Sequence, residues 1–148
     1  MFDELEDLEN NSRSEIQRAD HLIYVTLKYT RTADVIKSII KRLINAFDYA
    51  IMELLEKAKD KKLLKSIPTR ETERALLLEV IFPKNKAVKD YVNFYFMLKK
   101  LDKSKHGVKN EYRKHLTLII EEFINVDVPL LIEFYKKTRI FVSYVRSY

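Results

Sequence analysis

Three histidines, His21, His106 and His115, carry most of the acid–base and metal-binding potential of this chain, which has no cysteine. Glu111 and His115 are four residues apart and share a face if their segment is helical. One such pair is half a metal site, and neither a His-Glu-x-x-His motif nor a second pair accompanies it. Asp20 and His21 are adjacent, so on a helix they point in different directions, and a surface or core-edge histidine is the expected role. The serines lack a Gly-x-Ser-x-Gly elbow, and there is no thiol to activate. Gly107 is the only glycine, which removes the Walker loop and the dinucleotide fingerprint. These patterns predict no catalytic residue, no metal ligand and no cofactor.

What remains is basic and aromatic. Arg31, Arg113 and Lys114 stand beside predicted helix ends, and Lys136, Arg139 and Arg146 fall on one outward stripe of the last predicted helix. Guanidinium and ammonium groups of this kind neutralise phosphates, and Tyr29, Tyr112 and Tyr135 have rings on which bases stack. Arg31, Arg113, Lys114, Lys136 and Arg139 are therefore the candidate polyanion-binding residues. Solvated helix faces with tyrosines at core edges account for the same residues without a ligand. The charge distribution bears on the choice. The chain carries a formal +6, yet residues 1–10 hold five acids and no base, so the other residues hold 28 bases against 17 acids. A basic body of that kind favours polyanions as well as solubility.

The elements that must position these groups read as helices. Ser12 and Glu15 have capping-box spacing, and Ile16, Ala19, Ile23 and Leu27 then share a face, predicting a helix over about 13–29 behind an acidic segment that is an extra turn or a frayed tail. Nothing breaks the backbone at 30–32, but one helix from 13 to 60 would run about 70 Å at 1.5 Å per residue, too long for a globule of this size, so a turn is expected there. Ile36, Ile40, Leu43, Phe47, Ala50, Leu54 and Ala58 then form a wide apolar face closed by Lys57, Lys59, Lys61 and Lys62. Thr69 caps a short helix stopped at Pro83, and Asn85 caps a fourth whose Tyr91, Val92, Phe94, Tyr95 and Leu98 must be central or in an oligomer interface.

Residues 102–110 are the most loop-like. After them, Tyr112, Leu116, Ile119, Ile120, Phe123 and Ile124 match a helix, whereas Leu116, Leu118, Ile120 and Ile124, Val126, Val128 match two short strands. The helix is preferred because Glu121-Glu122-Phe123 is poor hairpin-turn chemistry. Asp127 and Pro129 then open a last helix reaching about Val145. The expected fold is all-α, a single domain over 1–148 built as an antiparallel bundle of about five helices, with a short β-hairpin within 115–128 as the alternative.

Composition agrees. At 47% apolar and 34% charged the 148-residue chain is a folded domain and not a disordered one. Scarce glycine disfavours tight hairpins and all-β folds. No apolar run approaches the roughly 20 residues of a membrane span. The acidic Met1-Phe2-Asp3-Glu4-Leu5 start lacks the character of a signal peptide, so a cytoplasmic location is expected. Abundant Lys, Glu, Ile and Tyr without Cys or Trp is a composition similar to that of hyperthermophile proteins.

The phrase Ala19-Asp20-His21-Leu22-Ile23-Tyr24-Val25-Thr26-Leu27-Lys28-Tyr29-Thr30-Arg31-Thr32 and the ending Tyr135-Lys136-Lys137-Thr138-Arg139-Ile140-Phe141-Val142-Ser143-Tyr144-Val145 look like archaeal helical proteins, and the basic five-helix pattern resembles the HEPN superfamily. Ribonucleases of that superfamily carry Arg, four to six residues, then His. The positions five to seven before His21, His106 and His115 are Ser14, Glu15, Ile16; Lys99, Lys100, Leu101; and Val108, Lys109, Asn110, none of them arginine. The resemblance therefore implies a non-catalytic member. The expected function is a helical interaction module, a homodimer or a partner-protein binder, with RNA or nucleotide binding through the basic surface as the alternative.

Overall fold

The structure, a computed structural model, describes residues 2–120 and 124–148. Helix α1 (Phe2–His21) is continued by a π-helical turn (Leu22–Thr26) and a closing helical turn (Leu27–Tyr29). After Thr30–Thr32 come α2 (Ala33–Asp60), α3 (Glu71–Ile81) and α4 (Lys86–Lys103), then strands β1 (His106–Lys109), β2 (Thr117–Ile120) and β3 (Ile124–Asp127), and finally α5 (Val128–Ser147).

The helices follow from local chemistry. Thr32 Oγ1 accepts from Val35 N at 3.3 Å, Asn85 Oδ1 from Val88 N at 3.1 Å and Asp127 Oδ1 from Leu130 N at 2.9 Å. Each cap satisfies an amide that the first helical turn leaves without a partner. The expected caps at Ser12 and Thr69 are corrected. Ser12 is buried inside α1, its hydroxyl donating to Glu9 O, and the helix runs on through the acidic segment, whose carboxylates suit a helix N-terminus. At α3 the N-cap position is Arg70, which makes no side-chain cap bond.

The π-helical turn also has a reason in the residue pattern. Ala19, Ile23 and Leu27 are all buried and are spaced by four. Four-residue steps drift by about 40° each on an ordinary α-helix. The Leu27 N–H donates to Leu22 O, five residues back, and this wider turn keeps the row on one face.

The core lies where α2, α4 and α5 meet. Phe47 stacks on Phe141 with centroids 4.6 Å apart, and Phe94 and Tyr95 close on it at 5.6 and 5.8 Å. The aromatic excess of α4 is thus spent inside the molecule, the first of the two placements expected for it.

The expected bundle of about five helices is present, but the fold is not purely all-α, since it also holds a three-stranded antiparallel sheet of order β1-β2-β3. The preference for helix over 115–128 fails there. Leu116, Leu118, Ile120 and Val126 are all buried, while Thr117 and Ile119 between them are partly exposed, the period of two that a half-buried strand requires. Leu118 faces Val126 directly across the β2–β3 pair. The Glu121-Glu122-Phe123 turn that argued against a hairpin lies outside the described residues. The segment read as most loop-like supplies β1, whose four residues are all exposed and whose outer edge no strand of the sheet covers.

Candidate nucleic-acid interface

The loop from Asn110 to Leu116, between β1 and β2, is held by its own hydrogen bonds. Arg113 N donates to Asn110 O at 3.0 Å, Leu116 N to Arg113 O at 3.1 Å and Asn110 Nδ2 to His115 O at 3.2 Å. It is then fastened to the turn before α2. Tyr112 N donates to Arg31 O at 2.6 Å, and Glu111 Oε2 accepts from Ala33 N at 3.3 Å, placing its charge on the positive end of α2. The latch keeps Asn110 and Tyr112 at φ of 57° and 67°, a left-handed backbone unfavourable for a bulky residue.

This latch holds the Arg31 backbone against Tyr112, which Arg113 and Lys114 follow in the chain. Tyr29 is 85% exposed and Tyr112 is 73% exposed, so both rings stand free at the sheet end of the molecule. From Lys103 to Thr117 the chain carries five bases, Lys103, Lys105, Lys109, Arg113 and Lys114, all exposed, against one acid. That acid, Glu111, is occupied as a helix cap. Among the described residues none of these five bases has an ion-pair partner, and such cations beside exposed aromatic rings can hold phosphates and stack bases.

The remaining candidates go elsewhere. Lys136 is on the exposed side of α5, 4.0 Å from Glu133. Arg139 lies over the Tyr135 ring, 5.5 Å from its centroid, and faces α1. Tyr135 is buried and donates its hydroxyl to Asp20 Oδ2 at 2.7 Å, so its expected role as a stacking surface is withdrawn. Burial and the Asp20 carboxylate push its phenol up to about 12. Arg146 leaves the outward stripe as well, with Nε 3.8 Å from the buried Glu53. Glu111 and His115 lie on a loop and not on one helix face, and Glu111 is engaged at α2. Among the described residues no group of three or more His, Asp or Glu gathers as metal ligands, and no helix is long and apolar enough to cross a membrane.

The sequence reading missed a second polar place. Tyr95, fully buried on α4, donates to Asp48 Oδ1 of α2 at 2.5 Å. Asp48 opens on a cleft of about 300 Å³ lined also by Asn45, Tyr49, Glu71 and Arg74. Burial lifts its carboxyl from 3.8 to about 6, against the Tyr95 hydrogen bond that lowers it. Glu71 is paired with Lys99 at 3.3 Å, and Arg74 Nε donates to Pro68 O at 2.7 Å. The available signal was a carboxylate next to Phe47 on the flank of the apolar face of α2.

No family model matches this chain, and neither a curated protein nor a solved structure matches it.

Proposed function

We propose that the chain is a nucleic-acid-binding domain that takes single-stranded RNA on its sheet end. The observation that carries the reading is the latch of Tyr112 N on Arg31 O, which joins two basic segments and leaves Tyr29 and Tyr112 exposed beside them. A single strand is favoured over a duplex because its unpaired bases offer their faces to aromatic rings. Arg31, Arg113 and Lys114 contact phosphates in this reading, and Tyr29 and Tyr112 stack. The likeness to HEPN domains belongs with the same proposal: a member lacking the Arg-to-His pair binds RNA without cleaving it.

Fluorescence anisotropy with a labelled twelve-nucleotide RNA tests this. Affinity should fall as salt rises, and Arg31→Gln, Arg113→Gln and Lys114→Gln, each of which removes one cation from a phosphate, should each reduce the log–log slope by about 0.7. Tyr112→Ala should weaken binding by about tenfold at fixed salt. Absence of measurable binding at low salt ends the reading.

Self-association is a second reading with its own observation. Leu76 and Val80, one turn apart on α3, are 51% and 72% exposed. A dimer built on that face should dissociate in sedimentation experiments when Val80 is replaced by Glu, and a wild-type monomer at micromolar concentration would remove the reading.

A further inference from the structure

The groove between α1 and α5 is lined by Arg13 and Ile16 on one side and by Arg139, Val142, Ser143 and Arg146 on the other. Three arginines line it, with Arg13 and Arg139 exposed to solvent, and no carboxylate lines the groove. Like charges drawn together in this way repel unless something of opposite sign lies among them. Only Arg146 has that compensation, from behind: its Nη2 donates to Glu9 O and Ser12 Oγ at 3.2 and 3.3 Å, and its Nε faces Glu53 and Glu9 at 3.8 and 3.9 Å. Among the described residues, Arg13 and Arg139 have no carboxylate within ion-pair distance.

Two of the three groups are also oriented in advance. Arg139 rests on the Tyr135 ring, itself tied to Asp20, and Arg146 is fixed by Glu9, Ser12 and Glu53. Preset guanidinium forks lose little freedom on closing over an oxyanion. The groove has a volume of about 100 Å³ and is open to solvent. That suits one tetrahedral oxyanion and leaves the rest of a larger molecule outside it. Ser143 adds a hydroxyl donor at the rim.

We infer that this groove is a phosphate site in which Arg13, Arg139 and Arg146 hold a single phosphoryl group, as free phosphate or as the terminal monoester of a larger molecule. Bidentate contacts from several arginines match the oxygens of a dianionic phosphate and leave a halide poorly held. The site is independent of the proposed RNA interface. Arg139 stands eleven residues along α5 from Val128, about 16 Å from the sheet side, and none of the sheet-end cations lines the groove.

The experiment is a titration with inorganic phosphate at constant ionic strength, sodium chloride serving as control, followed by ³¹P line width and by amide shifts. Saturable phosphate binding is expected in the wild type. It should weaken by about tenfold in Arg13→Gln and again in Arg139→Gln, and persist unchanged in the Arg31→Gln/Arg113→Gln protein. Arg146 is left intact because of its buried partner. A second titration with adenosine 5′-monophosphate separates the sources: tighter binding than inorganic phosphate assigns a monoester terminus, and equal binding assigns the free ion. No saturable binding in the wild type overturns the inference, as does binding that survives in the Arg13→Gln/Arg139→Gln double variant. Loss of RNA affinity in the sheet-end variants with phosphate binding retained keeps the two readings apart.

Discussion

Two regions of this molecule handle charge in opposite ways. Inside the bundle the buried acids have partners: Glu15 accepts from Arg42 through both oxygens at 3.2 and 3.4 Å, and Glu53 pairs with Lys57 at 3.0 Å. Lys57 in turn donates to Val145 O and Arg146 O, holding the last turn of α5. Between Lys103 and Thr117, five exposed bases stand against one acid that is already engaged with the backbone. The bundle's two buried acids are engaged within the fold, whereas none of these five bases has an ion-pair partner among the described residues. Stability and binding should accordingly respond to different substitutions.

The largest expected effect is at Glu53. It is fully buried, and burial raises its carboxyl while Lys57 and Arg146 draw it down. Glu53→Ala would strand both cations and should cost about 3 kcal/mol in chemical denaturation. A loss within error of zero would mean that water reaches this network, and the contrast between the regions would collapse.

Asp48 comes next and has a pH signature. Its folded value of about 6 exceeds the ordinary 3.8, so the folded state binds the proton more tightly than the unfolded chain. The associated stability is fully present below about pH 4 and is lost as pH rises through 6. Discounted for partial exposure, the loss is about 2 kcal/mol. Asp48→Asn should therefore match the wild type near pH 4 and exceed its stability at pH 7.5. Parallel stability curves across that range would show that the carboxyl is solvated.

Smaller still is Tyr112→Gly, which relieves a φ of 67°. It should gain about 0.5–1 kcal/mol while weakening RNA binding, opposite signs for the two properties. Lys136→Gln is the smallest. Its cation is exposed and only 4.0 Å from Glu133, so thermal melting should move by less than about 0.5 kcal/mol equivalent. RNA affinity should be unchanged if the sheet end is the interface, and a clear drop would extend that interface along α5.

How much of this could be read from residues alone divides by range. The caps at Asn85 and Asp127 were legible because each depends on an amide three positions away. The strand at Thr117–Ile120 was misread because Leu116, Ile120 and Ile124 fit both periods, and the choice is made by pairing with β1 and β3. β1 gave no alternation to find, since all its residues are exposed. Among the candidate binders, Arg31 and Arg113 were recognised by type, but the joining of their segments rests on contacts such as Ala33 N to Glu111, 78 positions apart. Arg139 was recognised and assigned to the wrong company, because a helical stripe says nothing about the neighbouring helix.

The open edge of β1 has a consequence for handling the protein. A strand with unpaired amides and carbonyls along one side invites another chain to add to it, and charged side chains are the usual deterrent. Here Lys105 and Lys109 bracket the exposed His106-Gly107-Val108 run. Substituting both with neutral residues should leave the melting temperature nearly unchanged and yet lower solubility, with turbidity growing under conditions where the fold is intact. On this account the lysines at this edge should keep one molecule from becoming the next strand of another.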